Sequence, residues 1–277
     1  MRRRPRSGCL RVAILLGGFI LLTMTVVSLM PLRTTILILG IDRTPSGTVV
    51  GRSDSMILMR VAPSKPTIGM LSIPRDLWVT IPGEGENRIN TAHFFAENEE
   101  PGSGPSAAVE TVRLNFGVDV DHYIRIQFEG LIRFVDGLGG IPIELAYSTS
   151  KFSAGPHHLD GETALAFVRD RTGGDDFVRM SQGQLFIRAT LKHMLDPRTW
   201  PRIPGALIGL LRFVDSNIPP WKWIGILTAY LRVGADGIEM VSIDRSMVQG
   251  VITENGAQVL LPNWPAIKPL LLEWFGP

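Results

Sequence analysis

The sequence predicts an α/β domain, an α-β-α sandwich around a central mixed β-sheet, behind an N-terminal transmembrane helix. Three observations predict it. Short apolar runs of strand character alternate with helix-period patterns, as they do in layered α/β folds. Residues 12–30 form a 19-residue stretch without a charge, long enough to cross a bilayer as a helix. The 277 residues are 45% hydrophobic, enough for a sizeable core.

Taken in order, the chain opens on a tail, residues 1–11, that carries Arg2, Arg3, Arg4, Arg6 and Arg11. By the positive-inside rule this tail is cytoplasmic, residues 12–30 are the anchor, and residues 36–277 are extracytoplasmic. A cleaved signal peptide is the rival reading, but "VSLMPLRTT" offers no A-x-A-like site. The expectation is therefore a single-pass protein of the cell membrane. Cys9, the only cysteine, precedes the apolar run, so the exported part holds no disulfide.

Residues 36–39, "ILIL", read as a strand buried on both faces. Residues 55–62 and 67–73 are two more strands, joined by a Pro-Ser-Lys-Pro turn into an antiparallel hairpin. Residues 105–116 are helical: Pro105 suits the first turn, and Val109, Val112 and Phe116 recur on one face. Residues 123–128, "YIRIQF", alternate and read as a strand, and residues 131–135 as a short helix. Residues 141–145 are a strand whose Pro142 points to an edge. Helices are expected over 162–169 and 184–195. The last 80 residues read as helices with one strand, 238–243.

The charge distribution narrows the function. Six of the 28 basic residues lie in residues 1–33, leaving 22 against 26 acidic residues beyond them. A nucleic-acid-binding protein would carry its basic patch in the folded part, so that class is excluded. The five histidines form no metal-binding helical pair. No G-x-S-x-G elbow or Walker loop occurs, and Gly137-Leu138-Gly139-Gly140 precedes a strand rather than a helix.

What remains are charged clusters at the ends of core elements. Asp42 follows strand one and Asp54 precedes strand two. Antiparallel neighbours would put both carboxylates on one rim, a site for Mg²⁺, Mn²⁺ or a similar hard cation. Equally, each could cap a turn or pair with Arg43 or Arg52. Arg75-Asp76 ends strand three, and Arg169-Asp170-Arg171 with Asp175, Asp176 and Arg179 follows a helix. Arginine forks grip phosphate through paired hydrogen bonds, although arginines at a helix end also serve as a solvated face.

In this order the motifs resemble the LytR–CpsA–Psr family of cell-envelope proteins. They are "LGID" (39–42), "RSDSM" (52–56), "LSIPRDLWVTIP" (71–82), "RINTAH" (88–93), "FEGLIRFVDGLGGI" (128–141), "LDGETALAFVRDR" (159–171) and "DDFVRMSQGQ" (175–184). The likeness covers roughly residues 36–195. It implies transfer of a glycopolymer from a polyprenyl-pyrophosphate carrier to peptidoglycan, with membrane lipid as a further partner and teichoic acid among the cargoes. By position it implies a metal at Asp42 and Asp54. It implies pyrophosphate contacts from Arg52, Arg75, Arg88, Arg169, Arg171, Arg179 and Gln182, and catalytic roles for Arg75, Asp76 and Asp176. The apolar side of the site would come from Phe94, Ile126, Phe128, Leu131 and Phe134, each of which also reads as ordinary core. The chain departs from the family pattern at Val178, Gln182 and Gly183, where relatives carry glycine, arginine and glutamine. A polyprenyl-pyrophosphate hydrolase and a non-catalytic, lipid-binding regulatory membrane protein are the alternatives.

Overall fold

The computed structural model describes residues 33–42, 50–62, 67–149, 151–170 and 176–276, with scattered positions between 15 and 25. The expected span over 12–30 falls largely outside the described residues. Leu15, Gly17, Gly18, Phe19, Leu22 and Thr25, which are described, are helical and exposed. Among the described residues no helix is long and apolar enough to cross a membrane.

A six-stranded mixed sheet forms the centre, in the order β10-β3-β2-β1-β6-β9. Its strands are β1 (Thr34–Ile41), β2 (Ser53–Ala62), β3 (Thr67–Ile73), β6 (His122–Gln127), β9 (Val214–Ser216) and β10 (Glu239–Ser242). β1 runs antiparallel to β2 and parallel to β6, and β3 runs parallel to β10. Three hairpins lie outside the sheet: β4 (Trp78–Ile81) with β5 (Gly85–Arg88), β7 (Ile141–Leu145) with β8 (Gly155–Leu159), and β11 (Val248–Ile252) with β12 (Gln258–Pro262).

The run "ILIL" is apolar at every position because β1 is central and covered on both faces. On one face Leu37, Leu39 and Ile41 pack with Met56, Leu58 and Leu71. Helix α2 (Gly104–Phe116) covers them through Val109, Val112 and Phe116, joined by Ile267 and Leu271 of α8 (Trp264–Phe275). On the other face Ile36, Met59, Val61 and Ile68 meet Ala229 of α7 (Pro220–Val233) and the half-buried Ile187 and Leu191 of α5 (Asp176–Leu195). Helices on both faces make the α-β-α layering expected from sequence. A further core joins α3 (Phe128–Leu138), α4 (Gly161–Val168), α5, α6 (Ile203–Leu211) and the β7–β8 hairpin around Val135, Leu138, Ile141 and Phe167. The remaining helix, α1 (Thr91–Glu99), precedes α2.

Candidate functional site

The charged cluster gathers where β1 and β3 end and β2 begins. The β1–β2 register pairs Gly40 with Ser55 and Ile41 with Ser53, with an irregularity between Gly40 and Ile41. Asp42 and Asp54 thereby reach the same rim and line one cavity of about 220 Å³ with Phe128, Arg169 and Arg179. Gly51 allows this approach, because a Cβ there would run into the Asp42 carbonyl.

Arg75 is the hub. Its guanidinium binds the Asp54 carboxylate directly, and its Nε lies 3.3 Å from Asp176 and 3.5 Å from Asp76. Its backbone N–H also donates to Asp176, at 3.3 Å. Burial pulls the Arg75 pKa down, but Asp54, Asp76 and Asp176 together raise it above the ordinary arginine value. Asp176 is the first residue of α5, where the helix dipole favours a carboxylate. One turn on, Arg179 binds Asp176, and its Nη2 donates to the Asp54 carbonyl at 2.8 Å. Burial still pushes the Asp176 pKa up, because its arginine partners only partly offset the lost hydration.

Arg169, at the C-terminal cap of α4, binds Asp42 and lies 4.7 Å above the Phe128 ring. Burial and the neighbouring charge of Asp54 push the Asp42 pKa up, against the pull of Arg169. Two mutually repelling carboxylates on one cavity are a donor set suited to Mg²⁺, which takes one or two carboxylates plus substrate phosphates. Among the described residues no group of three or more His, Cys, Asp or Glu converges on a metal site.

The expected site residues are therefore not all alike. Asp42, Asp54, Arg75, Asp76, Arg169, Asp176 and Arg179 come together, whereas Arg171 lies outside the described residues. Arg88 joins at the edge: its Nε is 3.4 Å from Asp76, and its Nη2 donates to the Gln258 carbonyl at 2.6 Å. Arg52 is exposed, with its guanidinium 5.8 Å from the Phe94 ring.

Gln182 corrects the sequence expectation. It is buried, and with its amide oriented to satisfy both ends it donates to the carbonyls of Asp170 (2.9 Å) and Phe167 (3.2 Å). These are carbonyls at the open end of α4, so Gln182 holds the helix that carries Arg169 rather than facing a phosphate. Gln184 likewise braces α5, its amide nitrogen lying 2.8–3.0 Å from the Ser72 hydroxyl, the Val241 carbonyl and the Ser242 hydroxyl.

The five apolar residues have different neighbours. Phe134 belongs to the core around α3, and Leu131 packs against it. Ile126 pairs with Val214 across β6 and β9, and Phe94 packs edge-on against Phe95. Only Phe128 lines the charged cavity.

Sequence reasoning missed the β11–β12 hairpin, which walls a second cavity beside Arg75. The signal was present: Asn255-Gly256 lies between two apolar runs, and Gly256 takes the positive φ (+76°) that such a turn requires.

The site is an arginine–aspartate cluster at the strand ends of a layered α/β fold. The LytR_cpsA_psr family model matches residues 31–269, and the chain belongs to that family. It is 41% identical over 140 residues to the polyisoprenyl-teichoic acid–peptidoglycan teichoic acid transferase TagU of Oceanobacillus iheyensis, covering 49% of this chain and 43% of that protein. It is 30% identical over 196 residues to the regulatory protein MsrR of Staphylococcus aureus, covering 68% of this chain and 57% of that protein. The chain thus spans about half the length of these curated relatives. The crystal structure of B. subtilis TagV superposes with a TM-score of 0.71 at 26% identity, covering 89% of this chain and 98% of that one.

Proposed function

We propose that the protein transfers a glycopolymer from a polyprenyl-pyrophosphate carrier to peptidoglycan by metal-assisted phosphoryl transfer. The observation that carries this reading is the Asp54–Arg75–Asp176–Arg179 network opening onto the cavity of Asp42 and Arg169. The likeness to a teichoic acid transferase supports the choice of substrate.

The charges on the described cluster balance. Arg75, Arg88, Arg169 and Arg179 bring four positive charges, and Asp42, Asp54, Asp76 and Asp176 bring four negative ones. A divalent cation, Mg²⁺ or Mn²⁺, held by Asp42 and Asp54 would act as a Lewis acid on phosphate oxygens and shift that balance to +2, complementary to a pyrophosphate diester. Phosphate oxygens then replace carboxylates in the forks of Arg75, Arg169 and Arg179.

Asp176, freed from its arginines, takes the proton of an acceptor hydroxyl. Its raised pKa makes it a stronger base than an ordinary aspartate. That hydroxyl attacks the phosphorus joined to the glycan. A new O–P bond forms, the O–P bond to polyprenyl phosphate breaks, and the leaving group keeps the electron pair. The arginines stabilise the charge that develops on the phosphoryl oxygens.

The membrane reading supports the same geometry. β1 begins at Thr34, with only residues 31–33 between it and the expected span over 12–30. Its eight residues place the site roughly 25 Å from that end of the sheet, at about 3.3 Å per residue. Half-buried Ile38, Ile57 and Ile124 of the sheet and Ile187, Leu191 and Ile226 of the covering helices pack against one core cluster, and this apolar layer is where a polyprenyl tail would lie.

The test is transfer of a labelled lipid-linked glycan to peptidoglycan, with wild-type protein and Arg75→Ala. Loss of transfer in the variant is expected, and wild-type turnover would remove the role of Arg75. Phosphate release without peptidoglycan, at an unchanged rate, would make the protein a hydrolase. Copurified polyprenyl lipid with no turnover at any Mg²⁺ concentration would make it a lipid-binding regulator, as the likeness to MsrR allows.

A further inference from the structure

A cavity of about 370 Å³ opens between the β11–β12 hairpin and the start of α5. Its size falls within the range of small-molecule sites, about 300–1,000 Å³. Arg75, Asp76 and Asp176 supply its charged part, while Phe177, Ile252 and Val259 are among its apolar walls. The hairpin is tied to the ion cluster: the Leu260 N–H donates to the Asp76 carbonyl at 2.9 Å, and Arg88 bridges Asp76 and the Gln258 carbonyl.

This cavity shares no lining residue with the one holding Asp42, Asp54 and Arg169. The two meet at Arg75, which binds Asp54 of one and lies against Asp176 of the other. Phosphoryl transfer places nucleophile and leaving group roughly in line through phosphorus, so two substrates need two separate approaches. The lining also differs in sign. One arginine against two aspartates disfavours a second anion and suits a neutral, hydroxyl-rich ligand that donates hydrogen bonds to carboxylates. Ile252 is an aliphatic side chain left 67% exposed at the cleft. With Phe177 it offers the apolar surface on which the C–H face of a sugar ring rests.

We propose that this cleft binds the acceptor glycan and presents its hydroxyl to Asp176. The inference rests on the phosphotransferase reading and adds to it a second, saccharide-binding subsite. Gly250 provides the test, because a Cβ there meets nothing within 4 Å. Gly250→Trp should fill the cleft without disturbing the fold, and Ile252→Asp should add a third negative charge beside it.

With full-length protein in detergent, both variants should raise the KM for a soluble peptidoglycan glycan fragment at least tenfold, which corresponds to about 1.4 kcal/mol. The KM for the lipid-linked donor and the melting temperature should stay at wild-type values. An unchanged acceptor KM in the folded variants overturns the proposal. A raised donor KM with an unchanged acceptor KM also overturns it, and assigns the cleft to the donor's own glycan. Fragment binding, measured by NMR without donor or metal, reads the cleft even if wild-type protein shows no transfer. Binding lost in Gly250→Trp supports the subsite, and equal binding in both proteins rules it out.

Discussion

Arg75 and Arg125 each bridge carboxylates beside the same sheet, yet their surroundings differ. Arg125, on β6, binds Glu97 at 2.9 Å and Asp215 at 3.1 Å and approaches His93 at 3.4 Å. Glu97 is 2% exposed and also accepts the backbone N–H groups of Gly102 and Gly104, at 3.0 and 3.1 Å. Burial alone would raise its pKa, but those N–H groups and Arg125 bring it below the ordinary glutamate value. Around Arg75 the balance has the opposite sign: burial wins, and Asp176 lies above the ordinary aspartate value. The inner carboxylate is held in its charged form by fixed dipoles. The rim carboxylates line open cavities and repel one another. Residue types alone do not separate structure from function here. Whether a buried charge has been matched by its own fold does.

The comparison is broken most directly by removing each arginine. Arg75→Ala should cut transfer by about 10²–10³-fold, the scale of losing a preorganised charge-stabilising donor. Arg125→Ala should leave transfer per folded molecule within about twofold. It should instead cost about 3–5 kcal/mol of stability, because Glu97 is left buried without its cation. Transfer kinetics alongside urea unfolding would separate the two. If Arg125→Ala abolished transfer at full stability, both clusters would be functional. Next in size, Asp42→Asn and Asp54→Asn should each raise the half-saturating Mg²⁺ concentration for transfer by at least about tenfold, the scale of one lost charged contact.

The two clusters should also answer differently to acid. Burial lowers the His93 pKa below 6.5, and burial likewise lowers His122 and His193. The unfolded chain then binds more protons than the folded one below about pH 6.5, so stability falls as pH drops through that region. Glu97, whose folded pKa is depressed, adds stability above the ordinary glutamate value that is lost as pH falls towards its folded pKa. Melting temperature should therefore decline on acidification, and His93→Gln should flatten the upper part of the decline. For the rim, protonation of Asp176 removes the base. The acid limb of transfer should lie above the ordinary aspartate value and vanish from the residual rate of Asp176→Asn. A pH profile of kcat/KM checks this.

Much of the scaffold was legible because its signals are strong. Strands β1, β2 and β3 are apolar runs ended by turns, and α2 keeps a clear helical stripe from Ala108 to Phe116. Strand ends also gave the rim, since Asp42, Asp54 and Arg75 sit next to those runs. Helix α1 was hidden because its buried positions include His93 and Glu97, four residues apart, where an apolar stripe would ordinarily stand. The inner cluster was hidden with it, as Arg125 reads like a solvent-facing residue of an alternating strand. Helix α5 begins at Asp176 rather than at residue 184, a start hidden because polar residues, including the buried Arg179 and Gln182, interrupt the apolar pattern of its first turns. The β11–β12 hairpin was overlooked although Asn255-Gly256 marked its turn.

The smallest expected effect concerns Gln182, where residue type pointed to the phosphate and burial points to the scaffold. Its amide reaches the Phe167 carbonyl in the last turn of α4 and the Asp170 carbonyl just past the Arg169 cap. Gln182→Leu keeps the volume roughly constant and removes both donors. It removes two side-chain hydrogen bonds, while the Phe167 carbonyl keeps the Asp170 N–H at 3.1 Å, so the cost should be about 1 kcal/mol. Transfer should fall only a few-fold, through a loosened Arg169, with the KM for pyrophosphate-bearing donor rising more than kcat falls. A residue contacting the transferred phosphoryl group would show the reverse, with kcat lost at unchanged stability. Unfolding in urea and a KM–kcat comparison on one preparation distinguish the two, and a stability equal to wild type would return Gln182 to the phosphate shell.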